Sequence, residues 1–247
     1  MSRFFVTPDS VKNGKIYAGK EESHHIADIM RLKEGDEVTV FDGSGKEYTG
    51  RIESIRNKNV IIGVDKVAVT TPKSSAEISL AQTLIKKDKI DYIVEKATEL
   101  GVSEIIPIET KRAVVRPGES RKEHKLERWH KIAIEAAKQC GRTDLPCIKE
   151  IRQFEDLLKD FCKYDGVIMP CLTEKTISLK DAVSRLKDSK KILLMIGPEG
   201  DFTPAEIARA EENGALLVSL GGLVLRSDTA AVATLAMLNY ALGSDPS

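Results

Sequence analysis

The sequence predicts an α/β protein, a parallel sheet with helices on both faces, preceded by a smaller β-rich region. Three observations predict it. Beyond Glu77, apolar strand-like runs alternate with helix-periodic segments, the pattern of strands joined by helical crossovers. Before Val69, short alternating strands surround glycine turns. Between them lies "VTTPKSSAE", Val69 to Glu77, where Pro72 and small polar residues read as a linker. The expected organisation is residues 1–70, a linker at 71–76, and residues 77–247.

In the first region, "SHHIADIMRLKEGD" is expected to form a short helix capped by Ser23 and stopped near Gly35. "DEVTVFDGSGKEYTGRIESI" predicts a hairpin, with Val38, Val40 and Phe41 before the turn Asp42-Gly43-Ser44-Gly45 and Tyr48, Ile52 and Ile55 after it. "NVIIGVDKVAV" supplies another strand pair, and these strands suggest a small barrel. In the second region, "EISLAQTLI" is a strand. "KKDKIDYIVEKATELG" is a helix with Ile90, Ile93, Val94, Ala97 and Leu100 on one face and Gly101 at its end. "VSEIIPI" is a strand. "HKLERWHKIAIEAAKQCG" is helical and aligns Trp129, Ile132, Ala133, Ala136 and Cys140. "FEDLLKDFC" is helical, "GVIMPC" and "KILLMI" are strands, "TPAEIARAEENG" is a helix, "ALLVSL" a strand and "DTAAVATLAMLNYAL" a closing helix.

Composition narrows the function classes. The 247 residues are 41% apolar and 31% charged, and the 5% aromatic content argues against a carbohydrate-type groove. No apolar run approaches the roughly 18 residues of a membrane helix. The N-terminus, Met1 to Pro8, lacks the apolar stretch of a signal peptide, so a cytoplasmic location is expected. Cys140, Cys147, Cys162 and Cys171 form no Cys-x-x-Cys pair and lie far from His24, His25, His124 and His130. No metal site is expected, and the thiols are expected to be reduced and mostly buried. Adjacent histidines face different directions on a helix, so His24 and His25 share no ligand. Formal net charge is zero, yet Lys111 to Lys131 holds eight basic residues against three acidic ones, an excess that suits a polyanion.

In open α/β sheets, ligands bind outside the carboxyl ends of the strands. Three late strands end in unusual loops: Met169-Pro170-Cys171-Leu172, Gly197-Pro198-Glu199-Gly200, and Gly221 to Asp228. Glycines let backbone approach a flat ligand, and exposed amides and carbonyls can read an adenine edge. Thr203-Pro204-Ala205-Glu206 then reads as a capping box with proline at the first helical position. A dinucleotide site predicts glycines after the first strand instead, and no phosphate-binding Gly-x-x-x-x-Gly-Lys-Ser/Thr is present.

"LLMIGPEGDFTPAEIARAEENGALLVSLGGLVLRSDTAAVATL" resembles the C-terminal signature of the SPOUT methyltransferases, and more closely that of the RsmE family, the 16S ribosomal RNA uridine N3-methyltransferases. "SHHIADIMRLKEGD", "VFDGSGKEY", "DKIDYIVEKATELGVSEIIPI", "KRAVV" and "RWHKIAIEAAKQCGRTDLP" extend the resemblance in order along nearly the whole chain. Asp201 stands where glycine is usual, and Ser227-Asp228 where Thr-Glu is common.

The resemblance implies a PUA-like β-barrel for RNA over residues 1–70, and a SPOUT domain with a deep trefoil knot that dimerises over residues 77–247. It implies S-adenosyl-L-methionine as cofactor, contacted by Met169, Pro170, Leu172, Gly197, Glu199, Gly200, Leu220, Gly221 and Leu225. The acceptor is N3 of a uridine in 16S rRNA of the small subunit, an imide that is a poor nucleophile until deprotonated. Glu199 and Asp228 are the nearby carboxylates for a base, whereas Arg226 could stabilise the developing oxyanion; the second role is preferred. Arg31, Arg112, Arg116, Gln139 and Arg142 are the expected RNA contacts. Trp129 reads as core or dimer contact. The rival readings are a non-catalytic rRNA-binding assembly factor, and a related knotted enzyme acting on another RNA, such as a tRNA ribose 2′-hydroxyl.

Overall fold

The computed structural model describes residues 3–57, 59–69, 76–113 and 118–243. By contacts the chain divides into two compact units, Met1–Pro72 with Ile134–Leu145, and Lys73–Ala133 with Pro146–Ser247.

The first unit holds β1 (Arg3–Phe5), β2 (Val11–Lys12), β3 (Lys15–Tyr17), β4 (Glu37–Phe41), β5 (Lys46–Arg56) and β6 (Asn59–Val69), in the sheet order β1-β4-β5-β6-β3-β2. The hairpin β4–β5 forms at the expected turn. Its Asp42 carboxylate accepts from the Ser44 amide at 2.9 Å, the Ser44 hydroxyl at 2.7 Å and the Tyr48 hydroxyl at 3.0 Å. Burial alone would raise the Asp42 pKa, but these donors hold it below its ordinary value; burial and the Asp42 charge push Tyr48 up to about 12.

Two expectations change. "NVIIGVDKVAV" is one continuous strand, β6, rather than two. The close crossing lies on β5 instead: at the register shift between Thr49 and Gly50, a Cβ on Gly50 would collide with the backbone carbonyl of Gly63. Ser23 does not cap the helix α1 (Lys20–His24), which Gly19 begins. Its buried hydroxyl donates to the Ala18 carbonyl and accepts from the Val60 amide, each at 3.1 Å, pinning helix to strand. Asn13-Gly14, both left-handed at φ 51° and 73°, form the two-residue turn joining β2 to β3.

Residues 134–145 complete this unit. They comprise the end of α3 (Glu119–Cys140) and the turn after it. Arg3 donates to the carbonyls of Ala137 at 3.1 Å and Arg142 at 3.2 Å, satisfying the helix end, while its other nitrogen pairs with Glu47 at 2.6 Å. The Gly45 amide bonds the Thr143 carbonyl, and the Leu145 amide the Gly43 carbonyl.

In the second unit, β7 (Glu77–Thr83), β8 (Glu104–Glu109), β9 (Cys147–Ile148), β10 (Arg152–Gln153), β11 (Gly166–Pro170), β12 (Ile177–Ser178), β13 (Lys191–Ile196) and β14 (Ala215–Ser219) form a parallel sheet. The order is β10-β8-β7-β13-β11-β14-β12, with β9 also on β8. The helices are α2 (Lys87–Glu99), the first part of α3, α4 (Phe154–Leu158), α5 (Leu179–Arg185), α6 (Pro204–Glu212) and α7 (Ser227–Leu242). Alternation along β13 explains its unbroken apolar run. Ile192, Leu194 and Ile196 pack with α2, α3 and α7 residues, whereas Leu193 and Met195 pack with Phe154, Leu157 and Ala210 of α4 and α6. Trp129 is buried in the first of these clusters, as core.

The helix α5 escaped the sequence reading; Ser178 caps it, accepting from the Asp181 amide at 3.1 Å. The thiols differ from expectation too. All four are free, but Cys140, Cys147 and Cys162 are exposed, and only Cys171 is buried.

Candidate active site

Because β13, β11 and β14 are neighbours, the loops after Ile196, Pro170 and Ser219 meet at one sheet edge. Together they wall one open cleft. Pro170, Leu172, Gly197, Glu199, Leu220, Gly221 and Leu225 all line it. Met169 and Gly200 do not. The Met169 side chain is fully buried in the core beside Met195, and the Gly200 carbonyl accepts from Arg112 Nη1 at 2.7 Å. A Cβ at Gly197 would crowd the buried Phe202 ring at 3.0 Å. Gly221 adopts φ 119°, a conformation strained for any residue with a Cβ.

The loop after β13 is held by side chains from distant positions. The capping box is complete: the Thr203 hydroxyl accepts from the Glu206 amide, and Glu206 accepts from the Thr203 amide at 2.8 Å. The same carboxylate, 2% exposed, also accepts from the Lys111 amide at 2.9 Å. Ser227 donates to the Gly197 carbonyl at 2.6 Å and accepts from the fully buried Gln82 amide at 3.1 Å. Lys89 pairs with Glu199 at 2.9 Å. Burial would raise the Glu199 pKa, but the Lys89 bond and the charges of Lys89 and Lys86 bring it below its ordinary value. Glu199 is therefore a carboxylate with weak proton affinity.

Sequence reasoning missed Cys171, Asp201, Leu223, Val224 and Ser227 as cleft residues. Leu223 and Val224 carried a signal, two large apolar residues directly after a glycine pair. Gln82 carried none, because its role depends on a contact spanning the whole domain. Burial, then the charges of Asp201 and Glu211, push the Cys171 thiol up to about 12, so it remains protonated.

Arg226 is the N-cap residue of α7, between the cleft residues Leu225 and Ser227 but not itself in the lining; it is exposed, and among the described residues its side chain has no ion pair. Asp228 is turned elsewhere: it accepts from the Thr229 amide and borders a separate hollow with Tyr92 and Val232. Of the expected RNA contacts, Arg31 is exposed at φ 55° and Gln139 is exposed on the last turn of α3. The Arg142 side chain donates from Nε and Nη2 to the two Asp144 oxygens, at 3.1 and 2.7 Å, and is 10% exposed. Arg112 braces the carbonyls of Gly200 and Phe202. Arg116 lies outside the described residues. Among those residues no group of three histidine, cysteine or acidic side chains is arranged to hold a metal ion.

Comparison with known proteins gives the class first. A family model described as an RNA methyltransferase domain matches residues 72–239, and one described as an RNA methyltransferase PUA domain matches residues 18–65. The ribosomal RNA small subunit methyltransferase E of Bacillus subtilis is 31% identical, over 97% of this chain and 96% of that protein. The protein of the same name from Rickettsia conorii is 29% identical over 98% and 96%. The chain belongs to the family of small-subunit ribosomal RNA methyltransferases E. Among solved structures, the Neisseria gonorrhoeae enzyme of that name, bound to S-adenosyl methionine, superposes with a TM-score of 0.88 at 28% identity over 100% of both chains. A methyltransferase from Legionella pneumophila, also with bound cofactor SAM, gives 0.90 at 28% identity over 98% of both.

Proposed function

We propose that this protein uses S-adenosyl-L-methionine to methylate N3 of a specific uridine in 16S rRNA of the small ribosomal subunit. The observation that carries the proposal is the convergence of three loops, from adjacent strand ends, on one cleft at the carboxyl edge of the sheet. The cleft fits the cofactor chemically. Leu172, Leu220, Leu223 and Leu225 offer apolar wall, and the glycine loops offer backbone groups for an adenine. When bound, the cofactor supplies an electrophilic methyl group on a positively charged sulfur.

The chain's own residues then have separable roles. Apolar walls keep water from the transfer. The uridine imide must lose its proton, and the ion-paired Glu199 is a poor acceptor for it. Arg226, free of a counter-ion among the described residues, stabilises negative charge on the uracil oxygen and so eases that loss. Arg31 and Gln139 are exposed and suited to RNA, whereas Arg112 and Arg142 serve first as braces.

The first unit takes the RNA-binding role of a PUA-like barrel, and the second carries the trefoil knot of its superfamily, residues 71–76 linking them. A homodimer is supported by the apolar surface of α7 and α2, where Tyr92, Met237 and Tyr240 are 45%, 45% and 93% exposed. Among the described residues no helix is long and apolar enough to cross a membrane.

Two measurements test the proposal. Calorimetry should show cofactor binding; none at millimolar concentration leaves a non-catalytic assembly factor as the better account. Loss of N3-methyluridine from 16S rRNA in cells lacking the gene is the expected target signature. Its persistence there, with a methyl group missing from a tRNA instead, would refute the substrate.

A further inference from the structure

Asp201 occupies the left-handed region at φ 58°, a conformation that glycine adopts freely and that few side-chain-bearing residues adopt. An aspartate held there gives up backbone comfort, so its side chain must return something. Its carboxylate faces two ways. Oδ2 accepts from the backbone amide of Leu172 at 2.8 Å, and Oδ1 accepts from the amide of Phe202 at 2.8 Å. Leu172 belongs to the loop after β11 and Phe202 to the loop after β13. One side chain thus ties two of the three loops that wall the cleft, and it lines the cleft itself.

The tie matters because little else fixes Leu172. The preceding amide, that of Cys171, bonds back to the Val218 carbonyl at 3.2 Å. Leu172 itself, by contrast, is 64% exposed. We infer that Asp201 is a positioning residue for the cofactor: its carboxylate clips the Pro170–Leu172 wall to the Gly197–Phe202 wall and sets their spacing before the ligand arrives. This rests on the cofactor reading above. Bonds from an ionised carboxylate to backbone amides are the stronger kind, and walls already in place spare the ligand the cost of ordering them.

The test uses the full-length protein and two variants. Asp201→Gly removes the clip while suiting the left-handed backbone, so its melting temperature should not fall. Its Kd and KM for S-adenosyl-L-methionine should rise about ten-fold, the scale of one charge-assisted bond, with kcat at saturating cofactor unchanged. Exchange of the Leu172 amide with solvent, in the absence of cofactor, should quicken in the same variant. Asp201→Asn keeps one acceptor and tolerates the backbone, so it should fall between the two in affinity. Wild-type Kd in Asp201→Gly, or a fall in kcat with KM unchanged, would overturn the clip. Failure of the wild-type protein itself to bind would sink the cofactor reading instead.

Discussion

Two walls of the same cleft are built in opposite ways. Along the loop from Gly197 to Phe202, side chains from α7, α2 and the segment after β8 bind residue after residue, Ser227 on Gly197, Lys89 on Glu199 and Arg112 on Gly200, while the loop's own Asp201 accepts from the Leu172 amide after β11. In the loop from Leu220 to Arg226, the described bonds are local, between the Ser219 hydroxyl and Gly221. There Leu223 and Val224 stand 82% and 73% exposed. One wall is finished before any ligand enters. The other holds apolar surface in water, whose burial becomes available as binding energy.

Breaking each wall should therefore give a different signature. The largest effect is expected at the end of the open wall, where Arg226→Ala should lower turnover about 10²–10³-fold with cofactor affinity retained. Equal loss of both in calorimetry and single-turnover assays would move Arg226 into the cofactor site. On the finished wall, Glu206→Ala strips three donors of their acceptor and should cost about 3 kcal/mol of stability in denaturant titration. Ser227→Ala, which frees the Gly197 carbonyl, should cost about 1–2 kcal/mol. Leu223→Ala should leave stability unchanged and weaken cofactor binding about three- to ten-fold; an altered melting temperature instead would show that this loop is packed in solution.

The smallest effect is electrostatic. Glu199 titrates below its ordinary 4.5 because of Lys89, so this pair stabilises the fold above that value and the contribution fades as pH falls through the depressed one. Being partly exposed, it is worth about 0.5 kcal/mol or less. The stability difference between wild type and Lys89→Ala should be present at neutral pH and absent in strong acid. A difference that grows towards acid would reverse the assignment.

Local pattern revealed the second unit well. Helix faces such as Ile90–Ile93–Val94–Ala97, and the Thr203–Glu206 capping box, depend on neighbours a few residues apart, and both are realised. The glycine loops were legible because glycine marks where a chain must approach or turn. What escaped depends on distance. Gln82 meets Ser227 across most of the chain, and Arg112 reaches Gly200, so no window of sequence contains both partners.

The second segment of the first unit, Ile134–Leu145, has a consequence for biosynthesis. The turn at Asp42–Gly45 finds its backbone partners in Thr143 and Leu145, about a hundred residues further along. As the nascent polypeptide emerges, this amino-terminal lobe cannot reach its final pairing until Lys73–Ala133 of the catalytic lobe has also been translated. The two lobes thereby mature as interleaved rather than successive products of translation, and an excised fragment ending at Pro72 would leave the Gly43 carbonyl and Gly45 amide to bond with water.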